Sequence, residues 1–174
     1  KAIKPLFQLG DSKSEKFGMF GVEPLVCISN ILMFHDSWKS AIPFIEQLFD
    51  LFDFDEYFDI VLLITYRIVS NAKFDLTSNS VVCDDNGQNT NIFLFDNEVI
   101  LHNFIEKTKK KLTALNNDLL ISILLCFSEV NESRVFLKKE QIVDLIDEII
   151  FQCSIDDIRR PKLLRIHSYL SSHD

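Results

Sequence analysis

Apolar residues along this chain recur mostly at three- and four-residue intervals, the spacing that places them on one face of a helix. Pro24 suits a first helical turn, where a missing N–H leaves nothing unpaired. Leu25, Ile28, Ile31 and Leu32 then form a stripe that ends near His35. Ser37 or Ser40 is expected to cap a second helix, with Pro43 in its first turn. Its stripe is Ile42, Ile45, Leu48, Phe49 and Phe52, opposed by Glu46, Gln47 and Asp50. Asp53 and Asp55 mark a tight turn into a third helix over 56–70. Ile60, Val61, Leu62, Leu63, Ile64, Ile68 and Val69 make it apolar nearly all round, so it should lie between neighbours.

The pattern changes over 73–97. Residues 80–83 and 92–95 read as short strands flanking Asp84-Asp85-Asn86-Gly87, and Asn-Gly is a strong turn pair. These residues predict a hairpin-like insertion outside the helical core. Helices resume over 98–115, with a stripe at Leu101, Ile105, Thr108, Leu112 and Leu115. Asn116 or Asn117 caps a second helix apolar all round, 118–128. Residues 129–137 read as a polar loop. Over 138–152, Ile142, Ile146, Ile149 and Ile150 face inward and Asp144, Asp147 and Glu148 outward. Ser154 is expected to cap a last helical stretch, with Asp156 and Asp157 in its first turn and Pro161 interrupting it before 163–170.

These elements predict one all-α domain over 1–174, with a weakly patterned lead over 1–21. Phe44-Ile45-Glu46 and Phe104-Ile105-Glu106 each belong to an amphipathic helix followed by a polar cap and a buried helix. Ile142 to Gln152, Ser154 and the 163–170 stretch form a looser third copy. Without the insertion the first two copies lie roughly 40 residues apart, the period of HEAT and armadillo repeats. Stacked antiparallel helix pairs of that kind are the expected arrangement, with a compact helical bundle as the alternative.

Composition narrows the function. There are only four glycines in 174 residues. Phosphate-cradling loops, dinucleotide turns and nucleophile elbows all need glycine where the backbone approaches a ligand or takes positive φ. Asp84-Asp85-Asn86-Gly87 fails as a calcium loop, because Asn89 stands where glycine is required and Phe95 where a glutamate should close it. The histidines, His35, His102, His167 and His173, show no i,i+4 partner and no HExxH context. Paired carboxylates at Asp53/Asp55 and Asp156/Asp157 fit helix starts. No catalytic residue, metal or cofactor is expected. Cys27, Cys83, Cys126 and Cys153 form no CxxC pair and read as reduced structural thiols. No apolar run reaches the length needed to span a bilayer, and no signal peptide is evident, so an intracellular protein is expected. A chain beginning at Lys1 instead of Met reads as a fragment.

The net charge of −8 disfavours nucleic acid and anionic membrane as partners. Its distribution is uneven: residues 1–105 hold seven Lys/Arg and fifteen Asp/Glu, whereas 106–174 hold eleven of each. Lys107, Lys109, Lys110 and Lys111 form one basic cluster. Arg159, Arg160, Lys162 and Arg165 form another around Pro161. Arg67, inside an apolar helix, is expected to pair with an acid or reach the surface. The expected function is therefore a protein-interaction or scaffold module of a larger intracellular assembly. Lys107, Lys110, Arg159 and Arg160 would meet a partner with an acidic segment, and reversing all four should leave helix content intact. Phe52, Phe54 and Phe58, among acids at a helix junction, would form an acidic-aromatic lip for a basic peptide. A small helical regulator or inhibitor of a signalling protein, of viral type, is the second class, and an enzyme with an unrecognised site the third.

Overall fold

The computed structural model describes residues 22–77, 94–112 and 118–172, all of it helices and the turns between them. Cα packing gathers the chain into two compact units, Lys1–Asn91 and Ile92–Asp174. All four glycines, at positions 10, 18, 21 and 87, fall outside the described residues. Every described helix end is therefore closed without one.

In the first unit, α1 (Glu23–Ile31) has proline in its first turn, and Leu25, Ile28 and Leu32 are buried. A 3-10 helix follows (His35–Phe44) with Pro43 inside it, in place of the expected capped α-helix start. Proline disrupts an i,i−4 ladder, and the α-helical geometry of α2 (Ile45–Asp50) begins only after it. Ile45, Leu48, Phe49 and Phe52 are buried, while Glu46, Gln47 and Asp50 face water, as the stripe requires. A short 3-10 turn (Leu51–Asp53) leads into α3 (Asp55–Thr77), which packs against α1, α2 and both 3-10 turns.

Two corrections concern α3. It continues through Thr77, so the expected insertion cannot begin at Lys73. The reason is Asp75, a buried acid whose carboxylate accepts a 3.0 Å bond from the Trp38 indole N–H. Lys39 Nζ stands 3.7 Å from the same carboxylate. Arg67, one turn below Asn71, does not require an acid. It donates to the Ser29 carbonyl and, at 2.7 Å, to the Ser29 hydroxyl, while Asn71 donates to Leu32 O at 3.3 Å. The carbonyls left over at the end of α1 are thus closed by two side chains of α3.

The second unit contains α4 (Glu98–Leu112), α5 (Asp118–Ser128), α6 (Asn131–Lys139), α7 (Ile142–Gln152) and α8 (Arg160–Ser171). Residues 94–96 form a single helical turn with Leu94 and Phe95 buried, not a strand. Phe95 meets Phe127 edge-on, with centroids 5.7 Å apart, and Phe104 packs against Phe127 at 5.6 Å. Asn97, expected inside the insertion, caps α4 by accepting the N–H groups of Val99 and Ile100 at 3.1 Å each. The expected turn at Asn86-Gly87, the strand over 80–83 and the caps at Asn116 or Asn117 lie outside the described residues.

The expected polar loop over 129–137 is mostly helix α6. Its buried face, Val130, Ser133, Arg134 and Leu137, has helical spacing but two polar members, which is why a search for apolar stripes passes over it. Ser133 Oγ donates to the Val130 carbonyl at 3.2 Å and Arg134 Nε to the Ser128 carbonyl at 3.0 Å. Arg134 also lies over the Tyr169 ring, 5.2 Å from its centroid. The α6–α7 boundary falls at Gln141, whose φ of 57° is left-handed. Ile142, Ile146 and Ile149 are then buried. Finally, Pro161 opens α8 and does not interrupt it.

Two stability changes follow. Phe127→Ala should cost about 3–5 kcal/mol in denaturant unfolding, the range for removing a large core ring. Gln141→Gly should gain up to about 1 kcal/mol, because a left-handed backbone position costs a residue with a Cβ roughly that much.

Candidate partner-binding site

The connection from α7 to α8 is built inside out. The chain leaves α7 at Cys153 with an extended backbone (ψ 136°), exposing the last helical carbonyls that need donors. Arg160 supplies them: its Nη1 donates to Ile150 O and Cys153 O, each at 3.0 Å. Asp157 organises the rest. Its carboxylate accepts the Arg159 backbone N–H and Nε at 2.9 Å each and Nη2 at 2.5 Å. The Asp157 N–H donates to Ser154 O at 3.2 Å, and the Arg160 N–H to Asp157 O at 3.0 Å. Side-chain hydrogen bonding from Arg159 holds the Asp157 carboxyl well below the usual carboxylate range. Burial, with Asp157 beside it, pushes the Cys153 thiol up.

With the polar side chains turned in, the apolar ones point out. Phe151 is 92% exposed, Ile155 86% and Ile158 82%. On α7, Phe151 lies opposite the buried stripe and shares the solvent face with Asp144 and Glu148. Asp156 is exposed between the two isoleucines in sequence. Asp147 stands 3.3 Å from His167 Nε2. Asp144, Glu148 and Asp156 make no ion pair among the described residues.

The residues expected to bind a partner fall in both units. Arg159 and Arg160 are half-buried at this corner and engaged there. Lys162 bonds Asp118 at 2.7 and 2.8 Å and Ser122 at 2.9 Å, and Arg165 pairs with Glu129. The second basic cluster therefore ties α8 to its neighbours. Reversing Arg159 and Arg160 would disrupt the corner itself, contrary to the expectation of an intact fold. Lys110 is exposed and Lys107 half-buried on α4, and both have contacts within the protein. In the first unit, Phe52 and Phe58 are core rings with centroids 5.5 Å apart, and Phe52 also stacks on Phe49 at 5.7 Å. Only Phe54 is open to solvent, 46% exposed and edge-on to Tyr57. The acidic-aromatic junction thus offers one ring instead of three.

His102 does have a partner one helical turn on. His102, Glu106 and Glu140 hold three donor atoms within 4.8 Å of one another, and His102 Nδ1 is 3.5 Å from Glu140 Oε1. Hollows occur among the described residues of the second unit. One, of about 410 Å³, is bordered by Lys138, Val143 and Leu170. Another, of about 270 Å³, is bordered by Phe95, Glu98, Glu132 and Val135. Of the described cysteines, Cys27 is exposed, Cys153 half-buried and Cys126 buried. No helix of the described residues is long and apolar enough to cross a membrane.

No known family model matches the chain, and no characterised protein or solved structure is significantly similar to it.

Sequence reading missed Phe151, Ile155 and Ile158. The available signal was a phenylalanine on the acidic side of α7, followed by two isoleucines among turn-forming acids. The corner's ionic brace has a pH signature. A carboxyl whose folded pKa is depressed contributes stability above its unfolded value, near 4, and loses it as pH falls through the folded value. Asp157→Asn should therefore lower the melting temperature at pH 7, and the gap from the wild type should shrink below about pH 4. A gap that stays constant from pH 7 to pH 2 would contradict the pairing.

Proposed function

We propose that this chain is a non-enzymatic protein-interaction module that docks a partner through the α7–α8 corner. One observation carries the reading: three large apolar side chains stand in water, one at the end of α7 and two on the connection after it, which side-chain hydrogen bonds brace. Scattered surface apolar residues need no explanation. Three within eight positions do. A braced loop binds with less ordering entropy than a loose one. Such a cluster has the makeup of an interface centre around which weaker contacts exclude water.

HEAT/armadillo-like stacking is the architecture this proposal favours. His167 with Asp147, and Arg160 with Ile150, bring α8 back along α7 in the opposite sense. Lys162 reaches the start of α5 and Arg165 its end, so α5 and α8 run in the same sense. Stacked repeats have both relations: antiparallel partners within a pair, and parallel equivalents in neighbouring pairs.

The test is comparative affinity isolation from cells of the source, with three baits. The wild type and a Lys107→Glu/Lys110→Glu variant should retain the same specific partner. A Phe151→Ser/Ile155→Ser/Ile158→Ser variant should lose it, while unfolding within about 0.5 kcal/mol of the wild type per exposed site. Loss from the lysine variant with retention by the triple variant would move the site to α4 and an acidic partner.

A further inference from the structure

The corner also limits what can cover it. We propose that the partner is a different protein whose apolar groove is rimmed by lysine or arginine; this rests on the corner being a docking site. Asp144 and Glu148 share the exposed face of α7 with Phe151, and Asp156 lies between Ile155 and Ile158 in sequence. None of these acids has an ion pair among the described residues. The nearby cations are already committed: Arg159 to Asp157, Arg160 to the α7 carbonyls, Lys162 to Asp118 and Arg165 to Glu129. The three exposed apolar residues thus share one stretch of chain with three exposed acids that no described cation pairs with. A partner with basic groups around its groove would pair with those acids and be steered to them.

The same charges disfavour the other occupants. A second copy would meet this face through a two-fold axis, bringing one set of acids against another. An anionic leaflet repels carboxylates and would leave the apolar residues short of the bilayer. Three residues cannot form a whole interface of standard size, roughly 800 Å² per partner, so they serve as its anchored centre.

Two synthetic probes test this with the full 174-residue chain. Both are amphipathic helical peptides with one leucine stripe; one carries lysine and arginine beside the stripe, the other glutamate. In fluorescence anisotropy the basic-rimmed peptide should bind. Its affinity should fall at least about tenfold, equivalent to about 1.4 kcal/mol, with Phe151→Ser/Ile155→Ser/Ile158→Ser. A similar loss should follow Glu148→Lys/Asp156→Lys, and higher salt should weaken wild-type binding. The glutamate-rimmed peptide should not bind. Equal binding of both peptides, abolished by the triple serine variant, would overturn the basic-rim proposal but leave the docking site standing. Binding of the basic peptide that ignores the triple variant would overturn the docking site as well. If neither peptide binds, the partner chemistry is wrong. Concentration-dependent dimers lost in the triple variant would then identify a second copy as the occupant. Binding to phosphatidylserine-containing vesicles, lost in the same variant, would identify a membrane.

Discussion

An α-helix ends with carbonyl groups that no later turn of the same helix can satisfy, and leaving one buried and unpaired costs about 1–3 kcal/mol. Many helices solve this with a glycine in the left-handed conformation just past the end. No described residue of this chain is a glycine, so side chains from elsewhere provide the donors. Arg67 and Asn71 of α3 close α1, Arg134 of α6 closes α5, Arg160 of α8 closes α7, and Lys138 of α6 reaches Ser172 at the end of α8 at 2.8 Å. All four closures use a cation, in sites the helix dipole also favours. At the α6–α7 boundary the chain instead forces Gln141 into the left-handed position. Each closure joins a helix end to a different element, so capping and tertiary packing become the same set of contacts.

That constraint reassigns much of the positive charge. Arginines which look like a partner surface in the sequence are structural once their donors are traced. At the α7–α8 corner the consequence is direct. Closing α7 draws Arg160 inward, and fixing the turn draws in Asp157 and Arg159. The turn that engages these half-buried polar groups leaves Ile155 and Ile158 on the outside, and the helical phase of α7 does the same for Phe151. An apolar surface on a well-held turn is thus produced by the polar demands of a helix end.

The helices themselves were largely legible. Period-3.6 stripes place α1, α2, α4, α5 and α7 and mark Ile142, Ile146 and Ile149 as inward-facing. What escaped reading had specific causes. Helix α6 buries Ser133 and Arg134, so its inner face does not register as apolar. Asp75 and Leu94 lie in segments whose local pattern suggested an insertion, yet distant contacts such as Trp38 Nε1 hold Asp75 in the core. Phe52 and Phe58 alternate with acids in sequence, but the turn between them folds both rings inward. Arg159 and Arg160 could not be told from surface cations, because their partners include backbone carbonyls, which leave no mark in a residue pattern. The apolar corner was the least visible feature, since periodicity finds what is buried more readily than what is exposed.

Docking at the α7–α8 corner requires residues 153–159 to be as well ordered as the helices they join. Backbone ¹⁵N relaxation across 151–160 measures this directly. Bracing by Asp157, Arg159 and Arg160 predicts order parameters near the value of about 0.85 found for rigid backbone. Values below about 0.6 over 154–158 would mean a loose loop, and the outward-facing apolar cluster would then have no fixed shape to offer a partner.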